Sequence, residues 1–441
     1  MGISNGIEWL FGWLGVGQQP HESYELTESD VSAIEDAAAV YRNYGGVVVR
    51  TRPPRDSGGI DAAVSLLQTI HDVEVRLGVV NESEHHAHEI YGDGDRIAFH
   101  WVAPTADAAD RFDRQVRSSY DGVTVAETDS AVPELEAGEY AAGASFGLAR
   151  EFWYPFQSPL TAGVDGEELA DPYADIVADA AGTDRGGGSG DDCRVLVQTV
   201  FEPARDAWSR GGPWGHDVSV TAYERRETHQ EQSLSGGVRT VEPTPREQAV
   251  GRLIGEQAGA RGYYVTMRVV AVASDPETAS QRVRRIAAGY EAYTHPATEQ
   301  GLVATPIPPA NVPDLLEDVA GRDHEFSATD RLTRLNPTKF LVTAPELAGL
   351  CHLPTDAINA PAVDWANMDA GPGVPPAATQ MEDVATAGAV EESDNRFQPV
   401  SAADADVNVP LDADSGSNRA SEGSGTEEPE TGADRSGERE R

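Results

Sequence analysis

Twice along this chain the hydrophobic pattern changes in the same order: strand, helix, two strands, helix, strand. A capped helix leads in. It opens at Thr27, has Val31, Ile34, Ala38 and Tyr41 on one face, and stops at Gly45-Gly46. Residues 47–51 then read as a β-branched strand, and residues 60–72 place Ile60, Ala63, Val64, Leu67 and Ile70 at helical spacing. Strands over 86–91 and 96–102 are joined by Gly92-Asp93-Gly94-Asp95, a hairpin turn. A helix over 106–120 turns Ala109, Phe112 and Val116 inward, and a strand over 123–127 closes the unit. Residues 73–80 add a strand signal with no place in this order.

The second pass runs through a strand at 139–146, a helix at 167–181, strands at 194–201 and 263–273, a helix at 276–293 and a strand at 302–305. Gly186 to Gly190 marks a flexible loop, and residues 203–261 are inserted between the two central strands. Inside the insertion, 246–258 has a helical pattern and 211–237 reads as a mobile polar loop. The order βαββαβ is that of a ferredoxin-like split βαβ unit. The expectation is therefore an α+β chain with two ferredoxin-like units in tandem, over 27–130 and 131–308. Each sheet would bury one face and leave the other open or facing a partner. An apolar segment, 1–26, precedes them; a short strand-helix extension, 309–370, follows. Residues 371–441 lose hydrophobic periodicity, are rich in Ala, Asp, Glu, Ser and Gly, and read as a disordered acidic tail.

The net charge of −41 is not a property of that tail alone. From Ala377 onward there are 16 acids and 5 bases, so −30 remains upstream. Lys339 is the only lysine. An acidic body almost without lysine suggests a halophilic proteome, in which molar salt, with a Debye length of about 3 Å, screens the self-repulsion. Such a surface argues against broad duplex binding. Two cysteines, Cys193 and Cys351, are too few for a zinc cluster or a disulfide framework. No apolar run reaches the ~20 residues of a membrane span. The expected location is cytoplasmic, with a membrane-peripheral variant resting on residues 1–20. There Ile3, Ile7, Leu10 and Leu14 are at helical spacing and Trp9, Phe11 and Trp13 are interleaved. This segment is either an interfacial anchor or a helix packed on the body or a partner; it lacks Lys and Arg for anionic lipid.

Candidate chemistry is sparse. There is no Walker A pattern, so no P-loop of the chain's own, and no cofactor motif. Gly143-Ala144-Ser145-Phe146-Gly147 matches a nucleophile elbow in spelling, but no helix pattern follows it, and a small-residue strand end reads equally from these residues. His85, His86 and His88 offer imidazoles suited to zinc, nickel or copper. On a strand, however, His86 and His88 share a face that His85 opposes. His100 is isolated in an apolar strand. Arg282, Arg284 and Arg285, with Arg261 and Arg268, are the clearest basic concentration, read either as a nucleic-acid or acidic-partner contact or as a solvated helix face. Trp153, Tyr154, Phe156, Trp208 and Trp214 could stack on single-stranded bases or anchor irregular segments.

One further unit stands out. Residues 340–354 form a strand, a turn at Pro345 and a short helix with Leu347, Leu350 and Leu353 on one face. The pattern Glu346-Leu347-Ala348-x-Leu350-x-His352-x-Pro354 resembles a segment lying just upstream of the motor in DNA-transfer ATPases of the coupling-protein and conjugation type, related to type IV secretion. The order of other features agrees: Glu89-Ile90 and Ile97-Ala98-Phe99, Asp171-Pro172, Val197-Gln198 with Pro203 and Trp208, Tyr263-Tyr264-Val265 with Arg268-Val269, and Pro361-x-Val363-x-Trp365. The resemblance spans residues 40–366. It implies a non-catalytic region concerned with assembly, with Glu346, Leu347, Leu350 and His352 as candidate partner-binding residues, to which the apolar segment 1–20 adds Trp9 and Trp13. No motor follows it here. The implied picture is an adaptor, not an enzyme, docking to a P-loop ATPase on a separate polypeptide, with self-association and direct DNA contact left open. The alternatives are a metal-dependent enzyme at the histidines and a nucleic-acid-binding module at the arginine helix.

Overall fold

The computed structural model describes residues 22–55, 58–76, 80–94, 96–128, 133–158, 160, 172–182, 192–210, 217–232, 237–324, 339–355 and 362–366. Helix α1 (Glu28–Asn43) is closed at its start by a reciprocal capping box, Thr27 with Asp30. The first βαββαβ pass follows as β2 (Val47–Arg52), α2 (Gly59–Ile70), β5 (His86–Gly92), β6 (Ile97–Ala103), α3 (Ala106–Ser119) and β7 (Thr124–Thr128). A two-residue strand, β1 (Tyr24–Glu25), precedes it, and β3 (Val75–Arg76) and β4 (Val80–Asn81) form a small ribbon where only a weak strand signal was legible. The second pass is β8 (Tyr140–Leu148), α4 (Tyr173–Ala180), β9 (Arg194–Pro203), β12 (Gly262–Ala273), α7 (Pro276–Gly289) and β13 (Leu302–Pro306). Then come α8 (Val312–Gly321), β14 (Lys339–Thr343) and α9 (Ala344–Cys351).

The two passes build one antiparallel sheet of ten strands rather than two separate sheets. Its path is β1-β8-β12-β9-β5-β6-β2-β7, with β13 also on β8 and β14 also on β12. Counting the strands of each pass in chain order, both halves read 4-1-3-2, as β7-β2-β6-β5 and β13-β8-β12-β9. They meet at their second strands, where β5 and β9 pair from His86↔Phe201 to Gly92↔Val195. Both strands are buried on both faces, and each would be an exposed edge in an isolated half; pairing removes both edges.

Side chains alternate between two cores. One face, carrying Ile90, Phe99, Trp101, Val197, Phe201, Met267 and Val269, is covered by α2, α3, α4, α7 and α9. The other is covered over the second half by α1 and α8 through Leu26, Ile34, Val312, Leu316 and Val319. Helix α9 is interior. Its capping box joins Thr343 to Glu346, its Leu347 is fully buried, and it packs against α2 of the first half while β14 pairs with β12 of the second. Residues 362–366 return to the first half: Ile97 N–H donates to Ala362 O at 2.8 Å, Asp364 N–H to Ile97 O at 3.1 Å, and the Asp364 carboxylate accepts from Arg50 at 2.5 Å and Arg52 at 2.9 Å.

The insertion contains more than the expected helix, which forms as α6 (Pro245–Gln257) behind a Thr244–Glu247 capping box. The stretch read as a mobile loop holds α5 (Val218–Arg226), N-capped by Asp217, and a ribbon of β10 (His229–Gln232) with β11 (Val238–Val241). Val218 and Ala222 turn onto α6, and the pair is fixed to the body through Tyr154, Trp208 and Leu341. At the crossing a Cβ on Gly251 would lie 2.9 Å from Ala222 O, so glycine permits the close approach.

Candidate functional site

The face under α1 and α8 should be apolar. Instead, one polar residue occupies the middle of strand after strand, and the register places these residues side by side. Arg50 is opposite His100, His100 opposite Glu89, Glu89 opposite Gln198, Gln198 opposite Arg268, Arg268 opposite Ser145, and Ser145 opposite Thr305. The result is a polar row running across both halves, centred on the Glu89–Gln198 pair at the β5–β9 seam. Glu89 and Gln198 are fully buried, and His100, Arg268 and Ser145 nearly so.

Burying such groups is costly unless they are paired. The C-terminus of α8 supplies much of the pairing. Gln198 Nε2 donates to Glu89 Oε1 at 2.8 Å and to Val319 O at 2.9 Å. Arg322, just past α8 in a left-handed conformation at φ 53°, donates from Nε to Glu89 Oε1 at 3.2 Å and from a terminal nitrogen to Ala320 O at 2.6 Å. Its guanidinium lies 5.2 Å from the Tyr41 ring centre of α1. Arg268 donates to Asp323 O and lies 3.8 Å from Asp318. Two cations therefore face the negative end of the helix. Burial, then Arg50 and Arg322, pushes His100 down to about 3, so it is neutral. The row is not saturated: Glu89 Oε2, Gln198 Oε1, Arg268 Nε, one Arg322 terminal nitrogen and His100 Nδ1 are buried with no partner among the described residues.

Of the residues singled out in the sequence, His100, Arg268 and Ser145 fall in this row and the others lie elsewhere. His86 and His88 point into the helix-covered core, and His85 stands on the other side with its ring 6.1 Å from that of His324. Trp101 Nε1–H donates to His86 Nδ1 at 3.2 Å, and His88 packs between Phe99 and Trp101. Burial first, then neighbouring charge, pushes both down to about 3. The three do not converge, and among the described residues no group of three or more His, Cys, Asp or Glu side chains is placed to hold a metal. Arg282 is buried and donates to Asp179 O at 3.0 Å, tying α7 to α4, so only Arg284 and Arg285 of that trio are exposed. Arg268 lies in the polar row, and Arg261 donates to Gln68 O.

The Glu346, Leu347, Leu350 and His352 side chains are all interior. Glu346 accepts from Thr343 N–H at 2.8 Å and Oγ1 at 2.9 Å, and from Phe156 N–H at 3.2 Å. Its burial outweighs these bonds and pushes its carboxyl up to about 7. The His352 ring rests 4.2 Å from Tyr173. These four residues are interior and do not face outward. Trp9, Trp13 and Trp214 lie outside the described residues. Tyr154 and Phe156 are buried, and Trp208 Nε1 donates to Ala260 O at 3.0 Å, so they anchor the insertion and its approach. Ser145 is in the middle of β8, paired on both sides, and forms no elbow.

The polar row was missed in the sequence, yet part of its signal was there: a polar residue such as His100, Gln198 or Arg268 inside an otherwise apolar strand, visible as a row only once register is known. Among the described residues no helix is long and apolar enough to cross a membrane. The family model for a domain of unknown function, DUF8128, matches residues 17–366, most of the chain, and the chain belongs to that family. Comparison with curated proteins found no match.

Proposed function

We propose that this DUF8128 chain is a non-catalytic assembly subunit of a DNA-transfer machine of the conjugation or type IV secretion kind, docking to a P-loop ATPase on a separate polypeptide. On this reading its two halves are ferredoxin-like units fused through their second strands, and it works on the cytoplasmic side.

One observation carries the reading. The segments that resemble the region upstream of the motor are scattered over some 300 residues of sequence, yet they are neighbours in space. Val197 and Gln198 of β9 pair with β12; Tyr263, Tyr264 and Val265 of β12 pair with β14; β14 leads directly into α9; and Val363 forms a bridge to Ile97 of β6. That quoted segments pair with one another within the second half, and that the last returns to β6 of the first, supports a shared architecture. The family match ends at residue 366, the same place as the resemblance.

The docking surface we assign is the inserted arm. Val220 and Tyr223, one turn apart on α5, are about half exposed (48 and 53 %), and Val238 on β11 is 65 % exposed. Affinity capture with this chain from its native host in molar salt, followed by mass spectrometry, tests the reading. Recovery of a P-loop DNA-translocating ATPase is the expected result. Capture that yields no such ATPase overturns it.

A further inference from the structure

A cleft of about 730 Å³ opens where the two halves meet, at the end opposite the turn of the β5–β6 hairpin. Its walls are the last turn of α2 with residues from 71 to 74, α3 from Ala108 to Gln115, the approach to β5, Pro203 at the end of β9 and Arg261 before β12. This is the size range of small-molecule sites, and it is distinct from the polar row and from the inserted arm.

The lining runs against the character of the chain. In a protein with 74 acids and 33 Lys and Arg, three arginines, Arg111, Arg114 and Arg261, share this one cleft. Arg111 and Arg114 are one turn apart on α3 and present the same face. Arg111 is braced by Glu84, which also accepts from Thr105 Oγ1 at 3.4 Å, and Arg261 is braced by Gln68 O. Arg114 has no ion pair or hydrogen bond among the described residues. Its guanidinium is therefore available to a ligand in the cleft.

His86 adds a donor whose direction is fixed. Its Nδ1 accepts from Trp101 Nε1–H, and an indole nitrogen can only donate. The neutral ring must then carry its proton on Nε2, and this buried ring lines the cleft. Donors therefore converge from α3, from β5 and from the start of β12. Three directions suit a tetrahedral oxyanion better than a flat carboxylate. The acids Asp72 and Glu74, on the α2 side of the cleft, are acceptors fit for hydroxyl groups next to that anion.

We infer that this cleft binds a small phosphomonoester bearing hydroxyl groups, of sugar-phosphate or nucleotide class, with its phosphate held by Arg111, Arg114, Arg261 and His86 Nε2–H. Calorimetric titration of the full chain in molar KCl tests this with ribose 5-phosphate, AMP and citrate as probes. Expected is saturable one-to-one binding of both phosphate esters, displaced by inorganic phosphate, with citrate weaker. Tighter binding of AMP would assign the site to nucleotides, and equal binding to sugar phosphates. Arg114→Gln, which removes no hydrogen bond or ion pair among the described residues, should weaken binding about tenfold or more, because a bond between charged groups is lost. Arg284→Gln, on the exposed face of α7, should leave it unchanged. Absence of saturable binding by both esters, equal or better binding of citrate, or equal effects of the two substitutions would overturn the inference.

Discussion

Replacing Arg322 with methionine isolates the energetics of the polar row. The Arg322 side chain is 4 % exposed and that of Glu89 0 %, with Nε and Oε1 3.2 Å apart. At an effective dielectric of about 20, unit charges at that distance attract by roughly 5 kcal/mol. Removing one partner leaves the other buried and uncompensated, at a cost of about 3–5 kcal/mol. The left-handed backbone at position 322 penalises methionine as it does arginine, so strain cancels from the comparison. Adding Glu89→Gln to Arg322→Met removes the orphaned charge and keeps an acceptor for Gln198 Nε2. The double variant should then recover about 2 kcal/mol or more relative to additivity. Urea unfolding in molar KCl, followed by tryptophan fluorescence, measures all four proteins. The pair is shielded from solvent, so the coupling should persist in high salt. Arg246–Glu299, exposed at 64 and 65 %, should show no measurable coupling under the same conditions. A loss below about 1 kcal/mol for Arg322→Met, or additive behaviour of the double variant, would refute the reasoning.

Three further predictions rest on other parts of the fold. Glu346 titrates near 7 in the folded chain because it is buried, against 4.5 as its ordinary value. Below both values the group is protonated in both states and costs nothing. Between about pH 4.5 and 7 the unfolded carboxyl ionises first, so stability falls by roughly 3 kcal/mol as pH rises and then levels off; Glu346→Gln should flatten that part of a stability-versus-pH curve relative to wild type. Leu347, fully buried on α9, should cost about 3 kcal/mol when cut to alanine, seen as a lower unfolding midpoint of the isolated protein; an unchanged midpoint with impaired partner capture would instead make it an interface residue. Dialysis from molar KCl to low salt should lower the thermal midpoint, since −41 charges regain their mutual repulsion, and restoring salt should reverse the change.

Much of the secondary structure was legible because local pattern decides it. Most strands and helices of both passes form within a few residues of their expected ends, since alternation and helical spacing are set by which face is buried; the helix expected over 167–181 is seen as Tyr173–Ala180, and its expected start lies outside the described residues. Helix α8 went unread although Val312, Leu315, Leu316 and Val319 stand at helical spacing; the prolines at 308, 309 and 313 broke the pattern, yet Pro313 lies within the first turn, where its missing N–H is tolerated. Fusion of the halves was not legible. The strand Val195-Leu196-Val197-Gln198-Thr199-Val200-Phe201 announces burial on both faces but not which strand lies beside it. The candidate sites fared differently for a related reason: exposure is a tertiary property. Arg282, Glu346, Leu347, Leu350 and His352 carry the same letters whether they face a partner or a core, and the sheet register assembles the polar row from residues as far apart as Arg50 and Thr305.

The most direct test of the adaptor account is a light-scattering titration in molar KCl of the purified chain against the ATPase recovered by affinity capture. The account predicts a complex of fixed stoichiometry that forms with the wild type and fails when Val220→Asp and Tyr223→Asp are introduced together on α5. ATP hydrolysis by the chain alone, or no complex at any ratio of the two proteins, would contradict it.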